Sequence, residues 1–197
     1  MIEINGAKFN IRPDSWDENI VRAVVEHNEY NIDISEGDVV VDIGGHIGSF
    51  AIMAGLKGAN VTVYEPTKEN FKMLVSNIKL NNLEDKITAI NKAVVGYPRG
   101  YKIRFNEGNS GSSAENSNGY DVETITFAEV TNKDIDILKV DCEGAEKEFI
   151  IDKQNIKNIV GEVHYTQEFI TQLKSYEVAI KPSKAKLCWI IKATKLE

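Results

Sequence analysis

The amino-acid sequence predicts an α/β fold, a doubly wound and mostly parallel sheet, on three observations. Short apolar runs suited to buried strands recur at residues 39–42, 61–64, 87–94, 136–141 and 156–163. Stretches with the 3.6-residue apolar period of amphipathic helices separate several of them, and short right-handed crossovers then give a sheet covered on both faces. The first run stops abruptly in a glycine turn, Gly44-Gly45-His46-Ile47-Gly48. Strand, glycine turn and helix is the layout of a nucleotide-type cofactor site, with the ligand at the carboxyl end of the strand.

In chain order, residues 2–12 read as a hairpin, because Asn5-Gly6 separates two short apolar runs. Ser15 and Glu18 have the spacing of a capping box, and Trp16, Ile20, Ala23 and Val24 share one face of a helix expected to reach about His27. Residues 1–36 are expected to cover the sheet, with a wall of the substrate pocket as the alternative. Three β-branched residues then lead to Asp42 in a central strand, and Gly44, Gly45 and Gly48 allow the backbone to approach a ligand closely. Phe50, Met53, Ala54 and Lys57 mark a helix that gives out at Gly58. A second strand ends at Glu65-Pro66, and Phe71, Leu74, Val75 and Ile78 line the next helix as far as Asn81-Asn82.

After the third strand, residues 96–119 break the rhythm as an insertion. Residues 101–105 alternate like an exposed strand, and the polar run from Asn106 onward reads as a loop that is either passive or a lid over cofactor and substrate. The fourth strand follows at 136–141, then a helix over 144–151 with Ala145, Phe149 and Ile150 inward. The fifth strand is 156–163, and a helix over 166–174 turns Phe169, Ile170 and Leu173 inward. An antiparallel hairpin, 178–180 with 187–191 around Pro182-Ser183, ends the sheet. One domain is expected, with 37–197 as its core.

A net charge of −7 supplies no general field for polyanions, and no basic patch stands out. No apolar run approaches the ~20 residues of a membrane span, and residues 1–6 lack the pattern of a secretory leader, so a cytoplasmic location is expected. The two cysteines, Cys142 and Cys188, lie among apolar residues and read as buried thiols, not as a disulfide or metal site.

The glycine turn fails the G-x-G-x-x-G dinucleotide pattern at His46. What remains is Asp42-x-Gly44-x-x-x-Gly48, with Glu65 about twenty residues on, the remove at which an acid meets ribose hydroxyls. S-adenosylmethionine has that ribose and no phosphate, and Asp42 or Asp141 could accept from its ammonium.

The run from Gly37 to Gly48, then Tyr64-Glu65-Pro66, then residues 122–127, then Asp136 to Glu146 with its Asp-x-Glu-Gly-Ala-Glu segment, then Glu162-Val163-His164, resembles the FkbM family of S-adenosylmethionine-dependent methyltransferases. The resemblance implies the class I methyltransferase (Rossmann-like) sheet and S-adenosylmethionine as cofactor, with methyl transfer usually to a hydroxyl oxygen. By position it implies that Asp42, Gly44, Gly45, His46 and Gly48 shape the methionine side and that Glu65 binds ribose. Asn91, Lys92 and Ala93 would lie near adenine, and Asp141 and Glu143 beside the reacting methyl. His46 departs from the Asn more usual there, and the region after His164 is short.

Methyl transfer is an in-line displacement, and the chain need supply only positioning and a proton acceptor. His164, Asp141 and Glu143 are the candidates, His164 first because imidazole titrates nearest neutrality. Glu143 and Glu162 with Asp141 could also hold a divalent cation, but a cationic cofactor needs the same carboxylates, and no metal is expected. The expected acceptor is a small molecule, sugar or lipid, with no nucleic acid as partner. The alternatives are an RNA methyltransferase, which the acidic charge and the missing Asn/Asp-Pro-Pro-aromatic motif disfavour, and a non-catalytic module on the same fold.

Overall fold

Asn5 and Gly6, both at positive φ (50° and 82°), turn β1 (Ile2–Ile4) back onto β2 (Ala7–Phe9) with Ile2 opposite Phe9. The geometry is the one that an Asn-Gly pair favours. The computed structural model describes residues 1–106, 111–114, 119–151, 154–164, 166–183 and 188–196. The next helix departs from its expected cap. Asp17, fully buried, accepts from the Arg12 backbone and guanidinium at 2.8–2.9 Å. Ser15 Oγ accepts from the Asp17 amide at 3.2 Å, but the reciprocal bond of a capping box is missing at the start of α1 (Asp17–Val21). Glu18 instead pairs with Arg22 at 2.8 Å, and Trp16 is 58% exposed where an inward side chain was expected. A π-helical turn, Arg22–Glu26, continues α1 and buries Val24 and Val25.

The alternating core follows as β3 (Val39–Ile43), α2 (Ser49–Leu56), β4 (Asn60–Tyr64), α3 (Lys68–Leu80) and β5 (Ile87–Ile90). The third strand is shorter than its apolar run, because Asn91-Lys92 leads the chain out of the sheet. Residues 93–95 then form β6 (Ala93–Val95), which belongs to a separate two-stranded sheet. The insertion contributes β7 (Tyr101–Asn106), β8 (Gly111–Ala114) and β9 (Tyr120–Val122) in a small antiparallel sheet. Residues 111–114, expected as loop, are thus a strand, while the lid assigned to 106–119 falls largely on 107–110 and 115–118, outside the described residues.

Next, β10 (Thr124–Thr126) pairs parallel with β6, and α4 (Phe127–Val130) starts from a capping box between Thr126 and Glu129. After β11 (Ile135–Val140) the expected helix over 144–151 is reduced to a 3₁₀ turn, Ala145–Glu148. Phe149 goes to the core and stacks on Phe127 at 4.4 Å, while Ile150 is 57% exposed instead of inward. Then come β12 (Ile156–Val163) and α5 (Thr166–Ile170), which stops short of the expected 174 but keeps Phe169 and Leu173 buried. The chain closes with β13 (Tyr176–Pro182) and β14 (Trp189–Lys195).

The main sheet has the order β13-β14-β12-β11-β3-β4-β5. From β5 to β12 the strands are parallel, and β14 runs antiparallel to both of its neighbours. One apolar layer joins β1, β2, α1, α2 and α3 to one face, and the other gathers Phe127, Phe149 and Phe169 on the opposite face. Chain order reverses between β3 and β11, and at such a switch point the strand ends leave a crevice for a ligand.

Candidate cofactor and catalytic site

Two glycines make the turn after β3. The amides of Gly44 and Gly45 both donate to the Tyr64 carbonyl at 2.9 and 3.0 Å, and the Asp141 amide donates to the Ile43 carbonyl at 3.0 Å. A Cβ on Gly44 would overlap the Asp141 carbonyl oxygen, so the two turns touch backbone to backbone at a φ of 82° that itself favours glycine. His46 is also at positive φ (51°), and its amide donates to Glu65 Oε2 at 2.9 Å. The Thr67 amide reaches Oε1 at 2.8 Å. Glu65 is 4% exposed, and burial raises its carboxyl against these two hydrogen bonds.

The residues expected near adenine flank this acid. Asn91 Nδ2 donates to the Glu65 and Pro66 carbonyls at 2.7 and 3.0 Å, holding the Glu65 turn. Lys92 faces Glu123 at 3.5 Å, and Ala93 is buried in β6. Asp42 lies under the loop: it is fully buried, opposite Lys139 in the strand register, with 3.1 Å from its Oδ1 to Lys139 Nζ. Lys139 Nζ also donates to the Gly44 carbonyl at 2.6 Å. Burial opposes the Lys139 charge, but Asp42 and then Asp141 hold its pKa above the ordinary value.

Across the crevice, Asp141 ends β11 half-buried, and desolvation pushes its carboxyl from 3.8 to about 7. Lys139 and His164 pull it down, while Glu162 and Glu143 push it up. Glu143, at φ 55°, is 53% exposed and sits 3.4 Å from His164 Nε2. Glu146, fully buried, accepts from the amides of Gly144 (2.8 Å) and His164 (2.7 Å) and lies 3.4 Å from His164 Nδ1. Burial would raise Glu146, yet the hydrogen bonds from His164 outweigh it and hold it below its usual value. Contacts with Glu143 and then Glu146 push His164 to about 10, so the imidazole is a cation at neutral pH and has no lone pair to accept a proton.

Sequence reasoning missed Lys139 and Glu146 as supports of the site, although a lysine inside an apolar strand run was a visible signal for the first. It did not name the contacts that join the preface to the glycine turn: Arg12 Nη2 lies 3.2 Å from His46 Nε2, and Asp17 Oδ1 lies 3.4 Å from the same nitrogen. The base of the insertion flanks both ends of the crevice. The Tyr120 hydroxyl accepts from the Lys68 amide at 3.0 Å and donates to Glu69, next to the Glu65 turn. Arg99 lies over the rings of Tyr97 and Tyr101 (4.7 and 5.6 Å) and pairs with Glu148 at 2.9 Å, on the side of the Asp141 turn.

The donor set fits S-adenosylmethionine: a buried acid at the second strand end for ribose hydroxyls, a close glycine backbone, and an acidic edge for a cation. Switch point, glycine turn and acids together define a class I S-adenosylmethionine-dependent methyltransferase. A profile of the methyltransferase FkbM domain matches residues 42–183, and the chain belongs to that family. The precorrin-6y C5,15-methyltransferase of Geobacter metallireducens GS-15 shares the fold at TM-score 0.59 and 16% identity, with 98% of each chain covered. Trm5 of Methanocaldococcus jannaschii in complex with adenosine gives TM-score 0.51 and 16% identity over 98% of this chain and 52% of that one.

Among curated proteins the chain is similar to tRNA (guanine(37)-N(1))-methyltransferases. One from Danio rerio is 37% identical over 70 residues, 36% of this chain and 15% of that protein. One from Candida albicans is 34% identical over 84 residues, 43% and 18% respectively. The chain spans less than a fifth of the length of these relatives. These matches overturn the expectation that nucleic acid is no partner and that the acceptor is a small molecule, sugar or lipid. No helix among the described residues is long and apolar enough to cross a membrane.

Proposed function

We propose that this methyltransferase acts on RNA, at a base-ring nitrogen that carries a proton. The observation that carries the reading is the similarity, at 32–37% identity, to six tRNA (guanine(37)-N(1))-methyltransferases. A second feature supports it. Arg99 lies over the rings of Tyr97, 55% exposed, and Tyr101 beside the Asp141 turn, and aromatic rings interleaved with cations are what unpaired bases stack on.

Bound S-adenosylmethionine supplies an electrophilic methyl on a cationic sulfonium. Glu65 would hold the ribose hydroxyls, and its bonds to the His46 and Thr67 amides keep the carboxylate in place for that. The Gly44–Gly48 turn borders the methionine side, with Asp42 and Lys139 fixing it from below. Asp141 takes the acceptor's proton, since a carboxyl near 7 is poised for that transfer at neutral pH. His164 stays a cation, and Glu143 sits at the open side of the same turn.

The test is methyl transfer from radiolabelled S-adenosylmethionine to unmodified tRNA transcripts, with nuclease digestion to locate the labelled nucleoside. Label in a base of the RNA is expected. Label absent from every RNA offered, but present in low-mass hydroxyl compounds of a cell extract, would sink the reading.

A further inference from the structure

At the far end of the Asp141 edge, β12 and β14 run antiparallel with Val163 opposite Trp189. One step further along this register sets His164 opposite Cys188, and the two-residue side-chain period puts Glu162 on the same face as His164. One ligand atom from each of Glu162, His164 and Cys188 lies within 4.8 Å of the other two. We propose that these three side chains form a binding site for a zinc-class divalent cation, with a fourth position open to an outside ligand.

The donor chemistry is that of zinc, which takes thiolate, imidazole and carboxylate together and keeps an open position when the protein supplies three. Ligands at 2.0–2.3 Å in a tetrahedron stand about 3.5 Å apart, so the three atoms need to close by roughly one ångström, within the reach of side-chain rotation. The surroundings already hold the ligands in place. Ser183 Oγ donates to Glu162 Oε2 at 2.7 Å, and the Ser183 amide donates to the Cys188 carbonyl at 3.0 Å. Carboxylates stand 3.4 Å from both ring nitrogens of His164, Glu146 at Nδ1 and Glu143 at Nε2. Whichever nitrogen binds the cation, the other retains the carboxylate partner that orients ligating histidines. Charge points the same way: Asp141, Glu143, Glu146 and Glu162 gather here, while the nearby Lys139 is engaged by Asp42.

The site does not depend on which acceptor is methylated; zinc would displace the proton that His164 carries in the metal-free protein, so binding releases a proton to solvent. The site is tested on the full chain, stripped with a chelator and titrated with cobalt(II) and then zinc. One metal per chain is expected, with the thiolate-to-cobalt charge-transfer band and the intense visible bands of a four-coordinate ion. Cys188→Ser should abolish the charge-transfer band, and both it and Glu162→Gln should weaken zinc more than about 10-fold. His27→Ala, an exposed histidine elsewhere, should leave both unchanged. Less than one metal per chain, no charge-transfer band, or equal zinc affinity in Glu162→Gln overturns the site. Should Cys188→Ser fail to fold, as a metal-free thermal melt would reveal, the zinc affinity of Glu162→Gln decides alone.

Discussion

Lys139 and Asp42 meet at 3.1 Å across the two central strands, and the same ammonium holds the Gly44 carbonyl. The cofactor turn therefore rests on a buried ion pair. Removing one partner leaves the other charge uncompensated, so Lys139→Met should cost about 3–5 kcal/mol of stability. Lys139→Met with Asp42→Asn should recover much of that loss. Urea unfolding of both single variants and the double variant checks this, and strict additivity would refute it.

Glu65→Ala removes the acceptor of the His46 and Thr67 amides, the acid to which the proposed function gives ribose. Losing charge-assisted hydrogen bonds worth about 1.5–3 kcal/mol should weaken S-adenosylmethionine binding roughly 10- to 150-fold. Calorimetry reads this directly, and unchanged affinity would remove Glu65 from the site.

Asp141 links activity to stability with opposite signs. Its carboxyl binds a proton more tightly folded (about 7) than unfolded (ordinary value 3.8). The stability this contributes is complete below about pH 4 and is lost as pH climbs through 7. Asp141→Asn should therefore raise the melting temperature at pH 8, by about 2–4 °C for each kcal/mol recovered. The same change should lower turnover about 10²-fold or more and remove a rise in rate through pH 7. Lys139, Glu143 and Cys142 from its own strand and turn, Glu162 and His164 from β12, and Tyr30 from the preface set the field it titrates in. Wild-type rates in Asp141→Asn would hand the proton to another group.

Arg99→Ala should lower affinity for RNA several-fold and flatten its salt dependence while leaving S-adenosylmethionine affinity unchanged. Filter binding over a salt series, beside calorimetry with the cofactor, distinguishes the two effects. Equal loss of both would mean that the Arg99–Glu148 pair supports the cofactor site rather than docking RNA.

The sheet was legible because its signals are local: apolar runs, an Asn-Gly turn and a glycine turn after Asp42 name their own structure. Failures came where packing and side-chain pairing decided the outcome. Glu18 turns to Arg22 instead of closing the capping box with Ser15, and Phe149, extended and stacked on Phe127, ends the turn after β11. The site divided in the same way. Glu65 could be singled out by its spacing from the glycine turn and Asp141 by its place at a strand end and by the resemblance, but Lys139, Glu146 and the protonation of His164 depend on which strands lie side by side. The Tyr97–Arg99–Tyr101 stack reads in sequence only as the edge of a polar insertion.

Arg12 and Asp17 touch His46 on the cofactor turn, and Asn77 ties Asn10 to the Ile47 carbonyl a step further on. The first strands and helix are thus fastened to the glycine turn itself, so a substitution that loosens them would move the turn without touching any residue of the crevice.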